Sequence, residues 1–180
     1  NIDSNLASQG GIATGGTLDL QASGGTRLGQ SGTLSAAQDI RLQSASGTQS
    51  AGTIQAGQDL HYAGGTLSNS GTVVAQNSDI DAGLANQGNV YIQNQLGVTG
   101  SSSNSGEIAA NTLTMAALDN SGKVGAQSAS LGSTSNAGEI TATTIDISGG
   151  LSNTGAVSAG DSLTVSGGNT SNDGSITGGS

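Results

Sequence analysis

Seven asparagines recur at nearly even spacing along this chain. They are Asn69, Asn86, Asn104, Asn120, Asn136, Asn153 and Asn172, and each stands two residues before a glycine. A carboxamide both donates and accepts, so amides stacked one above another pair in a continuous column, which suits an interior where every polar group needs a partner. In the three repeats before Asn69 the same place is held by Ser8, Gln30 and Ser50. The expected role of the seven is structural, as a buried amide ladder.

A second pattern is acidic: Asp19, Asp39, Asp59 and Asp79 recur at one identical interval, about a repeat in length. Stacked carboxylates repel and can recruit a cation, yet calcium takes roughly six to eight oxygens. Asp39, Asp59 and Asp79 each precede what reads as the first inward aliphatic residue of a strand, whereas Asp19 sits between Leu18 and Leu20. At most three aspartates then share a column. They read as solvated turn acids, with no metal site and no cofactor.

Catalytic chemistry has little to draw on. His61 is the only imidazole and lies between Leu60 and Tyr62 at an outward position, and there is no cysteine. No serine is paired with a base in a recognisable motif. Glu107 and Glu139 share an offset, but they are two repeats apart, too far to flank one glycosidic bond. The triplet Asn169-Thr170-Ser171 is expected by chance in so Asn- and Ser-rich a chain. The chain is expected not to be an enzyme, with no catalytic residue.

The elements that place these residues follow from a repeat. Gly10, Gly32, Gly52, Gly71, Gly88, Gly106, Gly122, Gly138, Gly155 and Gly174 recur at similar intervals, each followed two positions later by an aliphatic residue. That residue is β-branched in nine of ten cases, from Ile12 to Ile176, which marks a strand position. Four residues before each glycine stand Leu6, Leu28, Thr48, Leu67, Leu84, Ser102, Leu118, Thr134, Leu151 and Thr170, and four after stands mostly Ala. A second apolar pair follows, as in Leu18/Leu20, Ile40/Leu42 and Ile145/Ile147. Even offsets face inward, and odd offsets such as Glu107, Lys123 and Glu139 face water. Each repeat therefore holds two or three short period-2 strands.

One repeat offers roughly five inward aliphatic side chains worth about 1.5 to 3 kcal/mol each. Backbone ordering costs about 1 to 2 kcal/mol for every residue, so no repeat folds alone. Stacking resolves this by pairing each strand with its counterpart in the next coil. The pattern predicts an all-β fold, a right-handed parallel β-helix of about ten coils, spanning residues 1–180 as one repeat segment of a longer array.

Composition agrees. Of 180 residues 32 are Gly, none is Pro, Trp or Phe, and two are Tyr, so large aromatics do not fill the interior. The net charge is −9, with only Arg27, Arg41 and Lys123 as fixed cations, which excludes nucleic acid as a partner. No apolar stretch is long enough to insert in a membrane. The strict period and the β-branched residues argue against disorder.

The segments LSNSGTVVA (Leu67 to Ala75), LDNSGKVGA (Leu118 to Ala126) and LSNTGAVSA (Leu151 to Ala159), each followed by an apolar pair, resemble the haemagglutinin repeats of filamentous haemagglutinin and the stalks of contact-dependent growth inhibition toxins. The resemblance covers nearly the whole chain and is weaker over the first three coils. It implies a large exoprotein of a Gram-negative bacterium, secreted or held at the cell surface. Export would be by two-partner secretion through an outer-membrane β-barrel transporter, and other regions of the parent would meet a host-cell or target-bacterium receptor. The segment would then be a stalk that presents an adhesive or toxic region. The alternative is a binding module whose outer face contacts a glycan, a receptor or calcium. An ice-binding face is not expected, because the third position after each glycine reads Ala13, Ser35, Gln55, Val74, Tyr91, Ala109, Gly125, Thr141, Ser158 and Thr177, with no regular Thr array. The small, acidic, aromatic-poor exterior is expected to offer neither a pocket nor a stacking platform.

Overall fold

The computed structural model describes residues 5–29 and 32–179, so Gln30 lies outside the described residues. Every regular element among them is a strand, and every strand pairing is parallel. The chain winds as a β-solenoid of about nine turns. Each turn carries three faces, illustrated by Thr33–Ala36, Ile40–Ser44 and Thr48–Ser50, and each face pairs with the same face of the turns before and after it. In the central turns the faces run together into long bent strands, such as Glu107–Asn120 and Lys123–Asn136.

The alternation read from the sequence sets the core. On the first face the column Ile12, Leu34, Ile54, Val73, Val90, Ile108, Val124, Ile140, Val157 and Ile176 stacks in unbroken register. Its members from Leu34 to Val157 are at most 2 % exposed. The second face supplies two inward columns, one of them running Leu20, Leu42, Tyr62, Ile80, Val98, Met115, Leu131, Ile147 and Val165. Tyr62 is the one aromatic residue that these columns admit, and its hydroxyl donates to the Gly65 carbonyl at 2.8 Å.

The recurring glycine has a steric origin. Gly106 lies directly against the turn below, where a Cβ would run into the carbonyl oxygen of Gly88, and Gly122 and Gly138 repeat this contact on their own predecessors. Another corner instead needs conformational freedom, because Gly47 (φ 94°) and Gly64 (φ 127°) sit in the left-handed region.

Two register expectations are corrected. The first concerns turn two, where Thr26, not Leu28, pairs with Leu6 and Thr48, and Leu28 pairs with Ser8 and Ser50 in the place assigned to Gln30. The cause is length: Thr26 precedes Gly32 by six positions, where Leu67 precedes Gly71 by four. The second concerns the aspartates. Asp79 stacks on His61 and not on Asp59, because the buried Ser78 takes the inward place between Leu60 and Leu96. A serine in an aliphatic column conceals one turn of the pattern.

The Ser78 hydroxyl has no hydrogen-bond partner in that column. An orphaned buried hydroxyl carries its full desolvation cost, so Ser78→Ala is expected to stabilise the rod by about 1 kcal/mol. Thermal or denaturant unfolding checks this, and a loss of stability would contradict it.

Burial raises the Tyr62 phenol above its ordinary value of 10.0. Once the pH passes that value, the unfolded chain loses the proton while the folded chain keeps it, so stability present at lower pH is lost as the pH climbs toward the raised value. Tyr62→Phe should cost about 1 kcal/mol at neutral pH through the lost hydrogen bond. It should also remove the Tyr62 share of the alkaline loss. Unfolding curves of both proteins between neutral and strongly alkaline pH test the expectation.

Candidate functional site

The third face brings the seven asparagines into one column, in which Asn69, Asn86, Asn104, Asn120, Asn136 and Asn153 are at most 1 % exposed. Asn69 Nδ2 donates to Asn86 Oδ1 at 2.8 Å, and the pattern repeats from Asn86 to Asn104, Asn104 to Asn120 and Asn120 to Asn136 at the same distance. It continues from Asn136 to Asn153 and from Asn153 to Asn172 at 2.7 Å. Each rung's Nδ2 also donates to a backbone carbonyl of the next turn, for example Asn104 to Lys123 at 3.0 Å and Asn120 to Glu139 at 3.1 Å. Because that neighbour is a carbonyl oxygen, the amide nitrogen must face the C-terminal turn. The side chains of the ladder therefore point the same way.

The column ends differently at its two extremes. Asn69 Oδ1 has no amide below it and accepts from its own Gly71 N–H at 3.2 Å. Beneath it the buried Ser50 hydroxyl has no partner, since serine is too short to form the rung. At the other extreme Asn172 is exposed, accepts from Asn153 and donates to Gly174 O at 3.3 Å.

The acidic residues are dispersed by the corrected register. Asp39 and Asp59 belong to a column whose next member is Asn77, and Asn77 Nδ2 donates to Asp59 Oδ1 at 2.8 Å. The Arg41 guanidinium lies 3.3 Å from Asp39. Asp19, Arg41, His61 and Asp79 form the adjoining outward column, with His61 Nδ1 3.6 Å from Asp79 Oδ2. Mixed charge has replaced a run of carboxylates, and among the described residues no three His, Cys, Asp or Glu side chains gather as a metal ligand set. Glu107 and Glu139 share a column with Lys123 between them, about 10 Å apart along the axis at two strand spacings.

The exterior holds one feature not anticipated from composition. Tyr91 is 39 % exposed, and it borders a depression of about 640 Å³ on the first face. Its hydroxyl donates to Glu107 Oε2 at 2.8 Å, which holds the phenol above its usual value. The expectation of an outer surface with neither a pocket nor an aromatic platform fails at this point. The sequence signal was present, since the column of Tyr91 continues into Ala109 and Gly125, residues too small to cover a ring.

The ladder generates a direct test. Asp in place of Asn120 would still accept from Asn104, but it would turn a carboxylate toward Asn136 Oδ1 and the carbonyls of Gly122 and Glu139. Asn120→Asp is expected to destabilise the rod by about 3 kcal/mol at neutral pH, and by less at acidic pH, where a protonated carboxyl donates again. A change at the outward Lys123 should stay within about 0.5 kcal/mol. Equal unfolding midpoints for the two variants would overturn the burial argument.

Comparison with known proteins gives one positive finding. The haemagglutinin-repeat family model matches residues 13–94 and 140–180. From residue 13 onward the first three coils, where the resemblance is weaker, lie within the match, and the most uniform turns between the two stretches lie outside it. Neither the curated proteins nor the solved structures yield a match to this chain. With more than half of its length matched, and with that repeat built as a parallel solenoid on glycine, aliphatic and asparagine columns, the chain belongs to the haemagglutinin-repeat family.

Proposed function

We infer that this segment is a stalk: a stiff extracellular spacer that carries an adhesive or toxic region of its parent exoprotein away from the bacterial surface. The observation that carries the reading is the column from Ile12 to Ile176, which keeps register through nine successive steps. Nine strand spacings make a rod of about 45 Å whose length is set by coil number alone. The family implies an exported, adhesin-type protein and a dedicated outer-membrane β-barrel partner for its secretion.

The composition supports the same route. With no proline and no cysteine, the chain has no slow prolyl or disulfide step, and each turn contacts only its neighbours. Such a chain can fold turn by turn as it emerges. The stalk acts through reach and carries out no catalysis.

Residues 123–138 make up one complete turn, from Lys123 to the next recurring glycine. Deleting them should leave a folded rod shortened by about 5 Å in solution scattering. In the parent protein, removing several whole turns should preserve export and reduce adhesion or delivery across a fixed gap. Loss of function that is independent of length, or that follows shuffling of outward residues remote from Tyr91, would contradict a spacer role.

A further inference from the structure

Two outward columns of the first face carry features that nothing within the chain accounts for. One holds Lys123 between Glu107 and Glu139, each in the adjoining turn. Yet the ion pairs among the described residues are Arg41 with Asp39 and His61 with Asp79, which leaves the exposed Lys123 ammonium without a partner. The other column sets the exposed ring of Tyr91 beside Ala109 and Gly125. Gly125 lies within a strand and outside the left-handed region, and a Cβ added there would meet no atom within 4 Å. Outside the first and last turns no other described glycine is so free of contacts. Glycine weakens a strand, so one that neither a turn nor a neighbouring coil requires marks a place where a second backbone approaches from outside.

These features are complementary to themselves. When two copies face each other about a twofold axis along the strands, midway between the levels of Glu107 and Lys123, each column meets itself in reverse order. Glu107 then faces Lys123 of the second copy, and Lys123 faces the second Glu107. Ala109 faces the second Gly125, so the Tyr91 ring, one turn away, enters the hollow that Gly125 leaves. The Tyr91 hydroxyl holds Glu107 Oε2 at 2.8 Å, which fixes the carboxylate while its other oxygen stays open to an ammonium. Parallel rods at equal height would set carboxylate against carboxylate and Lys123 against Lys123, so charge selects the antiparallel pair.

We propose that the first face, centred between Glu107 and Lys123, pairs with the same face of a second copy of this chain in an antiparallel, twofold arrangement. The matched surface runs from Val74 to Ser158. Strand dimensions give it roughly 350 Å² on each copy, against about 800 Å² for a standard interface. The pairing is accordingly weak and reversible, with a Kd of about 0.1 to 1 mM. A net charge of −9 on each copy opposes approach, but salt of about 0.15 M screens that repulsion beyond about 8 Å and weakens the contact pairs less. This surface adds a contact to a rod whose spacer role does not depend on it.

Sedimentation equilibrium of the chain from about 20 µM to 2 mM, in about 0.15 M salt, tests the proposal. The average mass is expected to rise from monomer toward dimer across this range. Lys123→Glu and Glu107→Lys should each weaken self-association by at least about tenfold, because each sets like charges face to face. An equimolar mixture of the two variants should pair again, since both contacts of the mixed dimer then join opposite charges. Gly125→Val fills the hollow and should also weaken pairing by at least about tenfold, with no fall in the melting temperature of the dilute chain. A chain that stays monomeric at about 2 mM would overturn the proposal. So would a mixture that fails to pair, or association that survives both Lys123→Glu and Gly125→Val, which would place the contact at the open ends of the rod.

Discussion

Every strand residue in this fold must stack on its own counterpart one turn away. Parallel, in-register pairing imposes this, and it determines which side chains each column accepts. Aliphatic residues stack because they exclude water together, and glycine stacks where backbone must approach backbone, as at Gly88, Gly106 and Gly122. Asparagine stacks because its amide is complementary to itself. A carboxylate is not, which explains why the column that starts with Asp39 and Asp59 turns to Asn77, and why the one that starts with Asp19 turns to Arg41 and His61.

The same constraint dictates where the chain can vary in length. Turns differ by several residues, yet the core columns never lose register, because the extra residues lie at corners. One additional residue is inserted between Ile92 and Gln95 relative to Ala110 and Thr112, and another between Val98 and Ser101 relative to Met115 and Ala117. The next pair of turns, Glu107–Asn120 against Lys123–Asn136, stacks without a shift. An extra residue at a corner has no counterpart in the next turn, so its insertion leaves the paired positions on either side in register.

Most of this order was legible in the sequence because a solenoid writes each contact many times. The inward columns, the asparagine spacing and the parallel stacking all follow from alternate positions and the recurring glycine. What stayed hidden was carried by single residues. Ser78 interrupts an aliphatic column and so displaced Asp79 by two positions, while the two extra residues before Gly32 moved Leu28 out of its expected place and put Thr26 there. The Tyr91 depression depends on the sizes of residues in neighbouring turns, which alignment by glycine alone does not reveal.

Repetition also creates a difficulty that the amide ladder solves. Because strand periodicity is two, a slip of two residues between adjacent turns would leave aliphatic residues inside and polar residues outside, at little hydrophobic cost. The aliphatic columns thus specify a face without specifying a register. Asn86, Asn104 and Asn120 do specify it, since each must meet both the amide and one particular carbonyl of the following turn. A slip would strand buried amides at a cost of about 1 to 3 kcal/mol each, summed over the rungs affected. The ladder spans Asn69 to Asn172, where turns are shortest and most alike and slippage would otherwise be easiest. Before it, Ser8 and Ser50 occupy the column, turns are longer, and differing corners distinguish one turn from the next. Polar pairing in the core of this rod contributes alignment as much as stability, and it lets a chain of near-identical turns reach a single defined length.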